Sequence, residues 1–378
     1  MKRRGVELLR RLLRWAYAVL PKLPFAVVWG HPDHEDNVLA LEAGLQHTDV
    51  RRVVLLMTDR RARPPIPLGP KTLRVTKDGP LGWLAFVFAR HVFFTQPCFL
   101  RDFPGRAVSV NVWHGMPIKR VGLLLDGESG FRSTYAVATS PFWADIVERS
   151  LAPREGALVT GLPRNDRLFG DPRPVRAALG LGDDVEHLLL WLPTYRRSVR
   201  GHLTVDGLPT GSPFEFDVDP EDLAAHLAAR GAALIVKQHW MAAFAGEQRW
   251  GDLRVVDDAW LRERSVSLYQ VLGAAGALIS DVSSVTIDFL LLDRPIIHAA
   301  ADLEAYGNSR GFSVDDVQEL LVGPVATTYP ELLEQIDAVL AGEDPEAGRR
   351  RRVRALSHTD TDAGATRRLL DAVGLPVR

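Results

Sequence analysis

Two short segments place histidine and lysine directly after an apolar run, a combination that suits proton transfer on a phosphate-bearing substrate. The first, Val112-Trp113-His114-Gly115, continues to Lys119, and the second ends an apolar run with Lys237 and His239. An imidazole changes charge near neutral pH, so either histidine could accept a proton from an attacking hydroxyl. Gly115 lets a ligand approach the backbone, and the lysines bring positive charge. One such histidine alone is more often structural, and two strengthen the catalytic interpretation.

Hydroxyl groups and arginines follow other apolar runs. Ser283 and Ser284 precede a helical pattern, where first-turn N–H groups favour an anion such as a diphosphate. Ser283 could equally serve only as a helix N-cap. Arg164 and Arg196 follow apolar runs and suit bidentate phosphate recognition, although single surface arginines are common.

Two acidic residues accompany the serine pair. Asp281 directly follows the run Ala277-Leu278-Ile279-Ser280, and Asp288 lies one turn into the following helix. Asp288 could reach ribose hydroxyls, or it could be a solvated acid on the helix surface. Both alternatives stay open at this point.

Metal binding is not expected, and no cofactor is predicted. Asp217 and Asp219 resemble the metal-binding acid pair of some sugar-nucleotide transferases, but no strand signal supports them. His31 and His34 are not at helical ligand spacing, and Pro32 favours a loop. The sequence also lacks a phosphate-binding glycine loop, a Gly-x-Ser-x-Gly elbow and a cysteine pair, which removes support for P-loop NTPases, serine hydrolases and zinc fingers.

The composition is that of a globular protein with more than one domain. A chain of 378 residues predicts two domains of about 150 to 200 residues each. A formal net charge of -1 gives no global electrostatic argument for a nucleic-acid partner. The single cysteine, Cys98, cannot form an internal disulfide and fits a reducing, cytoplasmic setting.

Strands and helices alternate in the order that a parallel sheet requires. Nearly continuous apolar segments separated by helical patterns indicate sheets covered on both faces. The predicted strands are 25–29, 53–57, 107–110, 188–192, 233–237, 277–280 and 295–297. We therefore predict an α/β fold of two doubly wound, Rossmann-like domains, with ligands bound in a cleft at the carboxyl ends of their strands.

The predicted boundaries are a helix over 1–22, one domain over 23–170, a second over 171–350 and a closing helix over 351–378. On a helical wheel, the arginines of the first helix share one arc and apolar side chains fill the rest. Trp15 and Tyr17 on the apolar face favour a helix that lies on an anionic membrane surface. The alternative is a first helix that packs on its own domain.

An ordered set of motifs resembles the CDP-glycerol glycerophosphotransferase family, the teichoic acid primases and polymerases of bacterial cell walls. The resemblance covers roughly residues 25–375 and begins with Asp36-Asn37. The motifs are Trp113-His114-Gly115-x-Pro117-x-Lys119, Gly161-x-Pro163-Arg164-Asn165-Asp166, Pro193-Thr194-Tyr195-Arg196, Lys237-x-His239, Asp281-x-Ser283-Ser284-x-x-x-Asp288 and Asp302-x-x-x-Tyr306-x-x-x-Arg310-Gly311-Phe312. The chain departs from the family at Trp240, commonly proline, and at Val282, commonly aromatic, so the polyol is left open.

The resemblance implies a GT-B fold with an acceptor domain followed by a CDP-donor domain. It places catalysis on His114 and His239, with Asp36 and Asn37 on the acceptor side. The residues expected to bind the donor are Gly115, Lys119, Arg164, Thr194, Arg196, Lys237, Asp281, Ser283, Ser284 and Asp288. The implied substrates are CDP-glycerol or a related CDP-polyol and a lipid-linked saccharide acceptor, at the cytoplasmic face of the membrane.

Two competing interpretations belong to other functional classes. One is a GT-B glycosyltransferase that uses a nucleotide sugar, which would release a nucleoside diphosphate rather than CMP. The other is a non-catalytic, membrane-associated binding protein that has kept the fold. Retention of His114, His239 and their basic neighbours argues against the binding protein, whereas the released product is what separates the two kinds of transferase.

Overall fold

The structure is a computed structural model that describes residues 2–96, 99–125, 131–193, 214, 216–238, 246–300 and 311–378. It divides into two compact units, Met1–Asp166 with Ser357–Arg378, and Arg167–Leu356. Cys98 lies outside the described residues. Within the described part of the chain, no helix has both the length and the apolar character needed to cross a bilayer.

The first unit contains a seven-stranded, fully parallel sheet. The strand order is β3-β2-β1-β4-β5-β6-β7, so the direction of winding reverses between β1 and β4. All five residues of β2 are buried, as expected for a strand covered on both faces. The elements are α1 (Lys2–Val19), β1 (Leu23–Trp29), α2 (Asp36–Leu45), β2 (Val53–Met57), β3 (Thr72–Thr76), α3 (Pro80–Phe88), β4 (Ala89–Phe94), β5 (Val108–Asn111), β6 (Tyr135–Ala138), α4 (Pro141–Leu151) and β7 (Ala157–Val159).

The second unit contains another seven-stranded sheet, parallel except for its edge hairpin. The order is β10-β11-β9-β8-β12-β13-β14, and β10 pairs antiparallel with β11. Winding reverses between β8 and β12. The elements are α5 (Pro172–Ala178), β8 (His187–Leu192), α6 (Pro220–Ala228), β9 (Ala232–Lys237), β10 (Glu247–Trp250), β11 (Leu253–Val256), α7 (Asp258–Glu263), α8 (Leu268–Ala274), β12 (Ala277–Ser280), α9 (Ser284–Phe289), β13 (Ile296–Ala299), β14 (Val325–Ala326) and α10 (Tyr329–Leu340).

The carboxyl-terminal segment forms two helices where the sequence predicted one closing helix over 351–378. They are α11 (Ala347–Ser357) and α12 (Ala365–Ala372). The Asp166 carboxylate accepts hydrogen bonds from the N–H groups of Ala365 and Thr366, at 2.8 and 2.9 Å, and thereby caps α12. Residues 357–378 therefore belong to the first unit. The single predicted domain boundary at 170/171 did not include this return of the chain.

Helix α1 packs on its own unit along one side. Tyr17 is fully buried and stacks on Phe86 of α3, with ring centroids 5.0 Å apart. Arg14 forms an ion pair with Asp102 at 2.5 Å. The alternative of a helix packed on its own domain is thus correct for this side of α1, because an aromatic core accepts Tyr17.

Candidate active site

His114 lies in the loop that leaves the carboxyl end of β5. Its neighbour Trp113 has a left-handed backbone with a φ of 59°, a region that non-glycine residues seldom adopt, and Gly115 follows with a φ of 130°. The indole of Trp113 lies against the imidazole, with ring centroids 4.4 Å apart. The loop therefore turns sharply on both sides of His114, and the ring is supported by its neighbour.

Side chains from two helical segments hold this turn. Asn37, in the first turn of α2, donates from Nδ2 to the carbonyl of Trp113 at 3.2 Å. Arg164 donates from Nη1 to the carbonyl of His114 at 2.9 Å, and its own N–H donates to Asn37 Oδ1 at 3.1 Å. The structure thus brings together three residues that the sequence placed in separate motifs.

The surroundings of His114 favour its neutral form. Burial, together with smaller contributions from the nearby Arg164 guanidinium and His31, lowers the pKa of His114 to about 3. The imidazole is therefore neutral at physiological pH and has a lone pair available. The neutral imidazole is the form that a general base requires.

Glu35 is a member of this cluster that sequence reasoning missed. Its Oε2 lies 3.4 Å from Asn37 Nδ2. Burial raises the pKa of Glu35 to about 7, although Arg164 opposes the rise. The signal available in the sequence was its position six residues after β1, where the sheet reverses its winding and ligands are commonly bound.

The remaining predicted residues of the first unit have less defined roles. Asp36 begins α2 and is buried beside Asn37. Lys119 is partly exposed, five residues beyond His114. Arg164 was predicted to bind the donor phosphates; here the residue is 6% exposed, and its guanidinium supports the His114 loop. Phosphate binding by Arg164 stays a prediction.

In the second unit, Lys237 is already paired. The ammonium at the end of β9 lies 2.6 Å from Asp258 Oδ1, and the lysine is buried. Its charge is therefore balanced internally, and binding a diphosphate requires Lys237 to share or leave this partner.

The serine pair stands at the start of α9, as predicted. Ser283 occupies the N-cap position, but its hydroxyl makes no capping hydrogen bond. Ser283 is therefore the N-cap residue by its backbone position, but its side chain does not cap the helix. The hydroxyl is not occupied by the cap, which is compatible with the predicted contact to the donor.

The two acidic residues near the serine pair are fully buried. Asp281 follows β12 with no exposed surface, and Asp288 accepts a hydrogen bond from the Tyr269 hydroxyl at 2.6 Å. The solvated-acid alternative for Asp288 is wrong, because its carboxylate faces the interior and is satisfied by Tyr269. A contact of Asp288 with ribose stays a prediction.

Three predicted residues lie outside the described part of the chain. They are Thr194, Arg196 and His239. Trp240 and the motif residues Asp302, Tyr306 and Arg310 lie outside it as well. The roles assigned to all of them remain predictions.

The described residues contain no cluster of side chains that would hold a metal ion. No group of three or more His, Cys, Asp or Glu side chains converges there. Asp219 instead caps α6, accepting from the N–H groups of Glu221 at 2.9 Å and Asp222 at 3.4 Å. This cap explains an acid at position 219 without a metal.

The fold and the His114 turn define a two-sheet α/β protein with polar groups at the carboxyl edges of its strands. Residues 20–375, most of the chain, match the model of the CDP-glycerol:poly(glycerophosphate) glycerophosphotransferase family. The chain belongs to this family.

Individual relatives agree with this assignment. The teichoic acid glycerol-phosphate transferase of Staphylococcus aureus is 27% identical over 259 residues, which cover 61% of this chain and 63% of the relative. The teichoic acid poly(glycerol phosphate) polymerase of Bacillus subtilis is 25% identical over 268 residues, covering 62% of this chain and 33% of the relative. The chain thus spans about three fifths of the first relative's length and about a third of the second's.

A solved structure shows the same fold. The wall teichoic acid polymerase TagF superposes with a TM-score of 0.73 at 17% identity, covering 96% of this chain and 92% of that one. The predicted α/β fold with two doubly wound, parallel-rich sheets of GT-B type is confirmed.

Proposed function

We propose that the protein transfers glycerol phosphate, or a related polyol phosphate, from CDP-glycerol to a hydroxyl of a lipid-linked saccharide and releases CMP. The observation that carries this proposal is the neutral His114, held at a strand end in a chain of the glycerophosphotransferase family. The pathway is the synthesis of a teichoic-acid-like cell wall polymer.

The reaction requires one bond to form and one to break at the distal phosphorus. The acceptor oxygen attacks the phosphorus that carries the glycerol, the bond from that phosphorus to the bridging oxygen breaks, and CMP leaves. His114 takes the proton of the attacking hydroxyl, so charge and atoms balance. His114 is the better base than His239, since it belongs to the unit assigned to the acceptor.

Charge on the diphosphate and on departing CMP must be offset for the transfer to proceed. Lys237, the Ser283–Ser284 helix start, Arg196 and His239 are the groups we assign to this task. Positioning and electrostatics then supply most of the rate enhancement, and no metal is required.

A product analysis tests the proposal directly. The protein is incubated with CDP-glycerol or CDP-ribitol and a lipid-linked disaccharide, and the products are weighed by mass spectrometry. A gain of one or more polyol phosphates with release of CMP supports the proposal. Transfer from a nucleotide sugar with release of a nucleoside diphosphate would support a glycosyltransferase, and no turnover of any CDP-alcohol would support a binding protein.

The partner surface we assign to the protein is the anionic, cytoplasmic face of the membrane. On α1, Leu12, Trp15 and Val19 project from one side of the helix and are 55%, 63% and 55% exposed. On α3, which packs against α1, Leu81 and Leu84 are 69% and 53% exposed. Exposed apolar side chains on a helix that also exposes Arg10 and Arg11 fit a lipid interface and would bring the site to a lipid-linked acceptor.

Point substitutions on the exposed face of α1 test this location. Leu12→Ser with Trp15→Ser should weaken binding to vesicles of phosphatidylglycerol and phosphatidylcholine about tenfold or more, because two apolar side chains no longer enter the interface. Leu356→Ser, at a 44% exposed leucine of the second unit, is the matched control. Equal vesicle binding by the double variant and the control would contradict the assignment. Deletion of residues 1–20 is a poor test, since it removes the buried Tyr17.

A further inference from the structure

Trp113 holds a backbone conformation that needs support from outside its own loop. A non-glycine residue in the left-handed region is strained and persists only where its surroundings hold it. Trp113 has a φ of 59° and directly precedes His114. Its N–H donates to Asn111 Oδ1 at 3.1 Å, and its indole lies 5.7 Å from the ring of Phe131.

The carbonyl of Trp113 is held by a residue that is distant in the sequence. Asn37 Nδ2 donates to this oxygen across 76 positions of the chain, at 3.2 Å. The Asn37 side chain is fully buried, and its Oδ1 accepts from the N–H of Arg164 at 3.1 Å. Both ends of one amide are therefore used, one on the residue before His114 and one on the residue that holds the His114 carbonyl.

We propose that Asn37 is a positioning residue that keeps the backbone of Trp113 left-handed and thereby sets the direction of the His114 imidazole. The inference rests on the proposed function, in which His114 accepts the proton of the acceptor hydroxyl. Asn37 acts through Trp113 and Arg164, and its own amide is too deeply buried to reach substrate.

The chemistry of the amide explains why asparagine is needed at this position. The side chain donates to one carbonyl and accepts from one N–H at the same time. Aspartate has the same shape but presents an oxygen where Nδ2 stood, so it would repel the Trp113 carbonyl instead of donating to it. Without the donor, Trp113 can relax to a more favourable φ and carry the His114 ring with it.

The kinetic test uses Asn37→Asp, with Asn37→Ala as the second variant in case the first does not fold. Either change should lower kcat for transfer from CDP-glycerol about 100-fold and leave the KM for CDP-glycerol within twofold, because misplacing a catalytic group by about 1 Å costs that much. Thr139→Val is the control, since it removes a buried 2.6 Å hydrogen bond to Ser357 elsewhere in the same unit. It should lower Tm without lowering kcat.

A double-mutant cycle separates positioning from general damage. Combined with His114→Ala, the Asn37 substitution should change the residual rate less than twofold, since the group it positions is gone. An equal loss in the wild-type and His114→Ala backgrounds would overturn the inference, as would an unchanged kcat in both Asn37 variants. Neither result would affect the proposed function.

A spectroscopic readout does not depend on turnover. In protein with labelled histidine, the stacked indole should shift the NMR signals of the His114 ring CH protons. Asn37→Asp or Asn37→Ala should move these signals, and Thr139→Val should leave them in place. Signals that stay unchanged in the Asn37 variants would overturn the positioning role, even if no CDP-alcohol proves to be a substrate.

Discussion

The two sheets hold their strand-end residues in different ways. In the first unit, Asn37 and Arg164 bind the backbone around His114, and the imidazole is neutral. In the second unit, two buried groups among the described residues have internal partners. Lys237 binds Asp258, and Asp288 accepts from Tyr269. The first arrangement fixes direction, whereas the second balances charge.

This difference leads to separate expectations for catalysis and for binding. A ring that is held through its backbone is ready before substrate arrives and needs no exchange of partners. A lysine that is already paired gains only the difference between two anionic partners when the donor binds. Damage in the first unit should therefore appear in kcat, and damage at Lys237 in donor affinity.

The largest expected effect tests this division directly. His114→Ala should lower kcat about 1,000-fold, the range for loss of a general base, and leave the Kd for CDP-glycerol within twofold. Lys237→Ala should raise that Kd about tenfold and lower kcat at saturation far less than His114→Ala does, because Lys237 shares the charge of the diphosphate with other groups. Rates of CMP release and calorimetric titration measure the two quantities.

His187→Ala is the matched control for this comparison. His187 is exposed at the first residue of β8, at the opposite end of the strand from the proposed donor site, so both quantities should stay unchanged. If His114→Ala instead weakened donor binding and kept its turnover at saturation, the base would have to be sought in the second unit.

Most of the buried strands could be predicted from the sequence because their apolar runs are short and bounded. The predicted strand 53–57 has the bounds of β2, and 277–280 has those of β12. Helix α3 and strand β4 were not predicted. The apolar residues continue from Pro80–Phe88 into Ala89–Phe94 without a change of period, so the pattern does not mark where the helix ends and the strand begins. The edge strand Thr72–Thr76 was missed because it is short, only Leu73 and Val75 are apolar, and none of its residues is buried.

The candidate site was predictable in its residues and not in their contacts. His114, Asn37 and Arg164 stood in motifs, but no spacing indicates that Arg164 donates to the carbonyl of His114, 50 positions earlier. Glu35 carried only the weak signal of its position six residues after β1, and Tyr269 carried none. Their importance comes from tertiary contacts that the parallel topology creates, and single-sequence patterns do not contain these.

A smaller effect tests whether the second unit depends on its buried pairs. Tyr269→Phe removes the hydroxyl that donates to the buried Asp288 and should lower the free energy of unfolding by about 2 kcal/mol, since a buried carboxylate loses a partner. Tyr329→Phe removes an exposed hydroxyl 3.4 Å from Asp222 and should cost less than about 0.5 kcal/mol. Urea denaturation of both variants measures the difference. Equal costs would show that Asp288 is satisfied without Tyr269.

The smallest effect concerns the pH dependence of the first unit. Burial raises the pKa of Glu35 from 4.5 to about 7, so the protonated carboxyl contributes stability that is fully present below pH 4.5 and is lost as pH rises through 7. Glu35→Gln keeps the neutral form at all pH values. We therefore expect this variant to exceed the wild type in Tm by roughly 3 °C at pH 8, about 1 kcal/mol, with a smaller difference at pH 5.

Two other groups of the first unit, His114 and Glu155, make the comparison of Glu35→Gln with the wild type specific to Glu35. The lowered pKa of His114 contributes stability that is lost as pH falls from 6.5 towards 3, and this contribution is common to both proteins, so it cancels in the difference. Glu155→Gln, on the exposed surface of the same unit, should give a difference from the wild type that does not change with pH. A Glu35→Gln difference that is equally independent of pH would mean that Glu35 is ionised beside Arg164. The first unit would then hold an internal ion pair as the second does, and the contrast between them would be lost.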